Sequence, residues 1–182
     1  MKSLPKRLLY PSDIYVAKTP CIVNTILGSC VSVCLYDPIL RQGAINHYIL
    51  PHWNGHDLAT MKYGNMAIIR ILEELLKAGS KYENLVSKVF GGAEVLTGLS
   101  ANFHIGLRNT EIALEILNEF KIPILISEVG GNKGRKINFN TLTGEVDYEF
   151  IQHREKILSA KIKENEVVTG RFFKKICGLP LI

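Results

Sequence analysis

Many short apolar runs punctuated by turn residues, several of them readable as hairpins, and two helical segments predict a mixed α+β domain for this chain of 182 residues. Strands and helices do not alternate regularly, as a doubly wound sheet would require. The length suits one ordinary domain with a sizeable core. Hydrophobic residues at 47% and charged residues at 21% allow that core to be buried and argue against a disordered chain.

The chain opens on a poorly patterned leader, residues 1–13. Ile14 to Ala17 and Cys21 to Ile26 then read as two short strands separated by Thr19-Pro20. Val31 to Tyr36 and Ala44 to Leu50 are apolar and rich in β-branched residues, and Asp37-Pro38 with Arg41-Gln42-Gly43 is turn chemistry. They form a hairpin turning near Ile39 and Leu40. A polar loop follows over residues 52–57. Met66 to Leu76 carries apolar residues at helical spacing, with Glu73, Glu74 and Lys77 opposite them and Gly79 as a stop. Leu85 to Phe90 reads as a strand ending in a Gly91-Gly92 turn. After an apolar run over Phe103 to Leu107, Asn109 or Thr110 can cap a helix running to about Phe120, and Glu111 in its first turn suits the helix dipole. Ile122 to Val129 is a further strand, Gly130 to Arg135 a basic loop, and Lys136 to Asn140 with Val146 to Phe150 a hairpin through Thr143-Gly144. His153 to Lys163 reads as an extra helix, and Phe172, Phe173 and Leu179 to Ile182 as a short apolar end.

The stretch from Asn24 to Pro51 carries the chemistry. Cys30 follows a Gly28-Ser29 bend, and His47 stands on the returning arm of the hairpin, seventeen positions on. A thiol needs such help, because at a reference pKa of ~8.5 only a few per cent is thiolate at neutral pH. A nearby histidine, or backbone N–H groups at a tight turn, can lower that pKa. The residues alone leave Cys30 open between a nucleophile and a small buried hydrophobe, and His47 between a base and a histidine in a strand hydrogen bond. Cys34, inside an apolar run, and Cys21 read as core.

Leu27-Gly-Ser-Cys-Val31 with His47-x-x-Leu50-Pro51 resembles the CheD family of chemoreceptor glutamine deamidases. Lys62-Tyr-Gly64, Val89-Phe-Gly-Gly-Ala93, Ile105-Gly-Leu-Arg-Asn109, Gly130-Gly-Asn-Lys-Gly-Arg-Lys136 and Thr143-Gly-Glu-Val146 are similar to that family's later motifs, in its order. The resemblance covers roughly residues 10–150 and makes residues 1–150 a single deamidase domain, with 151–182 a C-terminal extension that has no counterpart in the pattern. It implies a layered, β-sandwich-like core with helices packed outside, similar to the catalytic domain of the cytotoxic necrotizing factor toxins. It implies hydrolysis of receptor glutamine side chains to glutamate and ammonia, with Cys30 as nucleophile, His47 as its base, and no cofactor. Methylated glutamate is a second acyl donor such a site would accept. Where the family has a Thr six positions before the Cys, this chain has Asn24, with Thr25 adjacent. An amide oxygen can orient an imidazole as in Cys-His-Asn hydrolases, so Asn24 is favoured as the orienting group and Thr25 is the alternative. Backbone N–H groups at Gly28-Ser29-Cys30 would hold the oxyanion. Partners implied are the helical cytoplasmic region of chemoreceptors and a CheC-type phosphatase. A non-catalytic binding module of the chemotaxis array is the second reading, for which the Asn24 substitution speaks; a thiol protease is a third.

Other function classes find less support. The formal charge of +5 is spread out, with only the short basic sites Arg135-Lys136 and Lys174-Lys175, too little for a nucleic-acid footprint. Arg135 and Lys136 could face an acidic substrate region or simply be solvated. His52 and His56 stand four apart, but Asn54-Gly55 between them is turn chemistry, so an exposed loop is expected and no metal. Pro5, Lys6 and Arg7 interrupt any signal-peptide core, and no apolar run nears the ~20 residues of a membrane span. A cytoplasmic protein with four unpaired cysteines is the expectation, without direct membrane insertion.

Overall fold

The structure is a computed structural model, and it describes residues 3–56, 58–94 and 104–151. The predicted helix and apolar end of the extension lie outside the described residues, as do Asp57, Phe103 and Cys177.

Among the described residues, nine strands form two sheets. β1 (Lys6–Leu8), β3 (Ile22–Leu27), β8 (Arg135–Asn140) and β9 (Val146–Phe150) lie side by side in that order. The second sheet runs β2 (Ile14–Val16), β5 (Gln42–Asn46), β4 (Val31–Asp37), β6 (Val86–Gly91), β7 (Ile124–Val129). Pairing is antiparallel except for β1 with β3 and β6 with β7. Helices α1 (Gly64–Lys77) and α2 (Ile105–Glu119) pack on the second sheet, against β2, β4, β5 and β6.

Strand β4 shows why the layers stack this way. Its side chains alternate between two apolar environments: Val31, Val33 and Leu35 meet the helices through Ala67, Ile68, Ile71, Ile112 and Ile116, whereas Cys34 meets Val23, Leu27, Ile137 and Phe139 of the other sheet. A strand buried on both faces reads as a continuous apolar run. Burying one such aliphatic side chain contributes roughly 1.5–3 kcal/mol, so the whole run belongs at the centre of the molecule.

Three elements depart from the sequence reading. The leader contains β1, whose exposed side chains give no apolar pattern and whose backbone pairs in parallel with β3. The returning arm of the hairpin is regular only to Asn46; there the Asn46 Oδ1 accepts the Val33 N–H at 2.8 Å in place of a ladder carbonyl. Beyond it the arm touches β4 once more, at Val31 and Tyr48, which exchange two hydrogen bonds of 3.1 Å. Lastly, α2 begins at Ile105, before the Asn109 or Thr110 cap that its sequence offers. The Glu94 carboxylate accepts the Leu107 N–H at 3.1 Å, so the first turn is satisfied from outside the helix and Asn109 is left for other work.

Candidate active site

Strand β3 turns Val23, Thr25 and Leu27 inward and Asn24 and Ile26 away from the core, since neighbours on a strand face opposite ways. Thr25 Oγ1 donates its hydrogen to the Leu9 carbonyl at 2.9 Å and lies 2.8 Å from His47 Nδ1. A hydroxyl whose one hydrogen is on a carbonyl can only accept from the ring, so Nδ1 carries the imidazole hydrogen and Nε2 presents a lone pair. Nε2 is buried and makes no hydrogen bond among the described residues. The main chain of His47 is held as well, its N–H donating to the Asp13 carbonyl at 2.9 Å and its carbonyl accepting from the Ser12 N–H at 2.7 Å.

Cys30 packs against the core between the sheets, the same layer that His47 enters to reach Thr25. The Val31 to Tyr48 register places Cys30 opposite Ile49 and His47 opposite Ser32, which makes the thiol and the imidazole diagonal neighbours on one face. Side chains so related have Cβ atoms roughly 7 Å apart or less, within reach of each other's tips. Of Cys21, Cys30 and Cys34, Cys30 alone is not fully buried.

Burial governs both groups. It pushes the Cys30 thiol above its ordinary pKa, partly offset by a backbone hydrogen bond to the sulfur from the residue's own N–H. It lowers His47 to about 4, against the charge of Asp13 and a backbone contact at Leu9, which pull the other way. The resting pair is therefore thiol and neutral imidazole at neutral pH. This differs from the lowered thiol pKa that the turn and the histidine suggest in sequence, because desolvation outweighs both.

The bend before Cys30 is held by its carbonyls. Gly28 O accepts from the Ala93 N–H at 2.8 Å, Ser29 O from Asn109 Nδ2 at 2.9 Å, and Cys30 O from the Gly92 N–H at 2.9 Å. In a trans peptide the N–H points opposite to the C=O, so the N–H groups of Ser29 and Cys30 face the other way. Neither donates to a backbone carbonyl or a side-chain oxygen among the described residues. Gly91 makes the approach possible: it sits at φ +114°, and a Cβ there would lie 2.1 Å from Cys30 O.

The family model described as CheD chemotactic sensory transduction matches residues 49–149. A probable chemoreceptor glutamine deamidase CheD of Trichlorobacter lovleyi is 48% identical over 141 residues, 78% of this chain and 88% of that one. The chain belongs to the CheD family. The similarly named protein of Sulfurimonas denitrificans is 40% identical over 82% of this chain and 97% of its own. Among solved structures, that of Bacillus licheniformis hypothetical protein YfiH is similar at 12% identity and a TM-score of 0.37, covering 64% of this chain and 49% of that chain.

In this CheD-family chain the group on His47 is Thr25 and not Asn24, the one favoured in sequence. Asn24 points out of the core and its side-chain amide donates to Asn138 across the β3–β8 pair. Arg135, expected as a substrate contact or a solvated residue, is buried instead, with 1% exposure. Its guanidinium donates to the carbonyls of Gly91, Glu128 and Gly130, tying the ends of β6 and β7 together. Lys136 is half-exposed and pairs with Glu149 at 3.1 Å. His52 and His56 are exposed in their loop, and among the described residues no three His, Cys, Asp or Glu side chains are grouped to hold a metal. No helix among the described residues is long and apolar enough to cross a membrane. Asp13 beside His47 and the two partners of Asn109, which reads in sequence as a helix cap, have no local signal in the sequence.

Proposed function

We propose that this chain hydrolyses the side-chain amide of chemoreceptor glutamines, with Cys30 as nucleophile and His47 as base. The observation that carries the reading is the Thr25 hydroxyl on His47 Nδ1, which leaves the Nε2 lone pair on the face that also holds Cys30. The names of the relatives supply the substrate class. Cys30 and His47 precede the stretch matched by the family model, so their roles rest on the geometry.

Because both groups rest neutral, Nε2 takes the thiol proton as Sγ attacks the carboxamide carbon, rather than working from a preformed ion pair. The N–H groups of Ser29 and Cys30 receive the oxyanion. Collapse of the tetrahedral intermediate breaks the C–N bond, and His47 returns its proton to the departing nitrogen, giving ammonia and a thioester. Water, deprotonated by His47, then attacks the thioester carbon; the thiolate leaves and is reprotonated, and the product is glutamate. A methyl ester of glutamate enters the same sequence with methanol as leaving group. The protein groups named are sufficient for each step without a cofactor.

The same proposal takes residues 1–150 as the catalytic domain, with the layering of the cytotoxic necrotizing factor catalytic domain, and 151–182 as an extension. It places the reaction in the cytoplasm, on receptor helices, under the control of a CheC-type phosphatase. The binding-module alternative loses its one support when Thr25 rather than Asn24 meets His47. Incubation with a purified receptor cytoplasmic fragment tests the reading: stoichiometric ammonia and glutamine-to-glutamate mass changes are expected, and a fragment unchanged after prolonged incubation with folded protein would overturn it.

A further inference from the structure

Asn109 stands fifth in α2, fully buried, in a position where asparagine does little for a helix. Its Nδ2 donates to two carbonyls outside the helix, Ser29 O at 2.9 Å and Ile49 O at 2.8 Å. Those residues belong to the two arms of the site: Ser29 precedes the thiol by one position and Ile49 follows the imidazole by two. Two acceptors on Nδ2 also fix which end of the amide is nitrogen. The Asn109 carbonyl, in turn, accepts from Tyr48 Oη at 2.5 Å, so the brace and the arm that carries His47 hold each other. Its Oδ1 is buried without a partner among the described residues, a cost that helix stability alone does not account for.

The helix is seated for this contact. Gly106, one turn earlier, lies so close to the Gly91-Gly92 turn that a Cβ would come within 2.4 Å of Gly92 O. Of the three carbonyls pinned in the Gly28–Cys30 bend, those of Gly28 and Cys30 are held by backbone N–H groups and that of Ser29 by this side chain. The peptide whose carbonyl Asn109 holds is the one whose N–H belongs to Cys30.

We propose that Asn109 is a positioning residue that aims the Cys30 N–H at the developing oxyanion. The proposal rests on the deamidase reading and adds to it a residue that touches neither the substrate nor the reacting atoms. Removing a direct oxyanion donor typically lowers kcat by about 10²–10³-fold, and misaiming one that remains should lower it by roughly 10- to 100-fold. Alkylation of a thiol by iodoacetamide forms no oxyanion, so its rate serves as the control.

The test compares Asn109→Ala with wild-type full-length protein in three measurements: receptor-fragment deamidation, Cys30 alkylation at the same pH, and thermal unfolding. The expected result is a kcat lower by roughly 10- to 100-fold, with KM and the alkylation rate within about threefold and a cooperative unfolding transition retained. Asn109→Ser, which keeps one donor, should recover part of the lost kcat, and it also carries the test should Asn109→Ala not fold. An unchanged kcat would overturn the proposal, as would a parallel fall in kcat and alkylation rate, or failure of both variants to fold. Cys30→Ala separates this from the underlying reading: an active Cys30→Ala removes the deamidase mechanism itself, whereas an inactive Cys30→Ala beside a fully active Asn109→Ala removes the role of Asn109 alone.

Discussion

Thr25 Oγ1 and His47 Nδ1 meet at 2.8 Å across the space between the two sheets, with the Thr25 hydrogen already given to Leu9 O. The contact selects the Nδ1–H tautomer and leaves Nε2 basic. Replacing Thr25 by Val keeps its shape and removes the acceptor. Thr25→Val should lower kcat for deamidation by roughly 10- to 100-fold, the scale of a mispositioned general base. Asn24→Ala, which removes the outward-facing amide bound to Asn138, should change kcat by no more than about twofold. Ammonia release from both variants decides between the two neighbours.

The pH dependence follows from burial. As the proposed base His47 must be neutral, and burial holds it at about 4, so kcat/KM should fall on the acid side through about 4 and not through the ordinary imidazole value. The Cys30 thiol is raised, so its alkylation should keep accelerating at pH values where an ordinary cysteine has levelled off. Initial rates over a pH series check the first and the iodoacetamide rate constant the second.

Stability carries the same signature. Between the unfolded imidazole value of ~6.5 and the folded value of about 4, the unfolded chain binds the proton and the folded chain does not, so stability falls as pH drops through this window and the term is flat below it. The full difference is on the order of 3 kcal/mol. His47→Gln should lose that part of the acid slope, as read by denaturant unfolding at a series of pH values.

Arg135 tests the reading of the basic loop. Its guanidinium holds three carbonyls at the ends of β6 and β7, so Arg135→Met should cost about 2–4 kcal/mol in unfolding free energy by leaving buried acceptors unpaired. Lys136→Ala, on an exposed ion pair, should cost less than about 1 kcal/mol and leave KM unchanged. A raised KM for Lys136→Ala would restore a substrate role to the loop.

The legible parts of the fold were those whose side chains repeat with a period. The apolar β4 arm, the helix around Ile68, Ile71 and Leu75, and strand β8 all bury one face or two, and burial writes itself into residue type. Strand β1 was illegible because its side chains are exposed and follow no apolar period. The start of α2 was misplaced because its first turn is satisfied by Glu94, eleven positions before the helix, and no local capping rule sees that contact. The same holds within the site. Cys30 and His47 stand out by chemistry, but the choice between Asn24 and Thr25 depends on which face β3 turns inward, and Arg135 and Asn109 depend on carbonyls supplied by distant segments.

Deamidation by Cys30→Ala beside Cys34→Ala asks whether the Cys30 sulfur forms the proposed thioester. Cys34 is buried in the core with its thiol pushed far up. Ammonia release from a receptor cytoplasmic fragment should be abolished in Cys30→Ala, with cooperative unfolding preserved, and should stay within about twofold of wild type in Cys34→Ala. A Cys30→Ala protein that retains a substantial fraction of wild-type ammonia release would contradict the account.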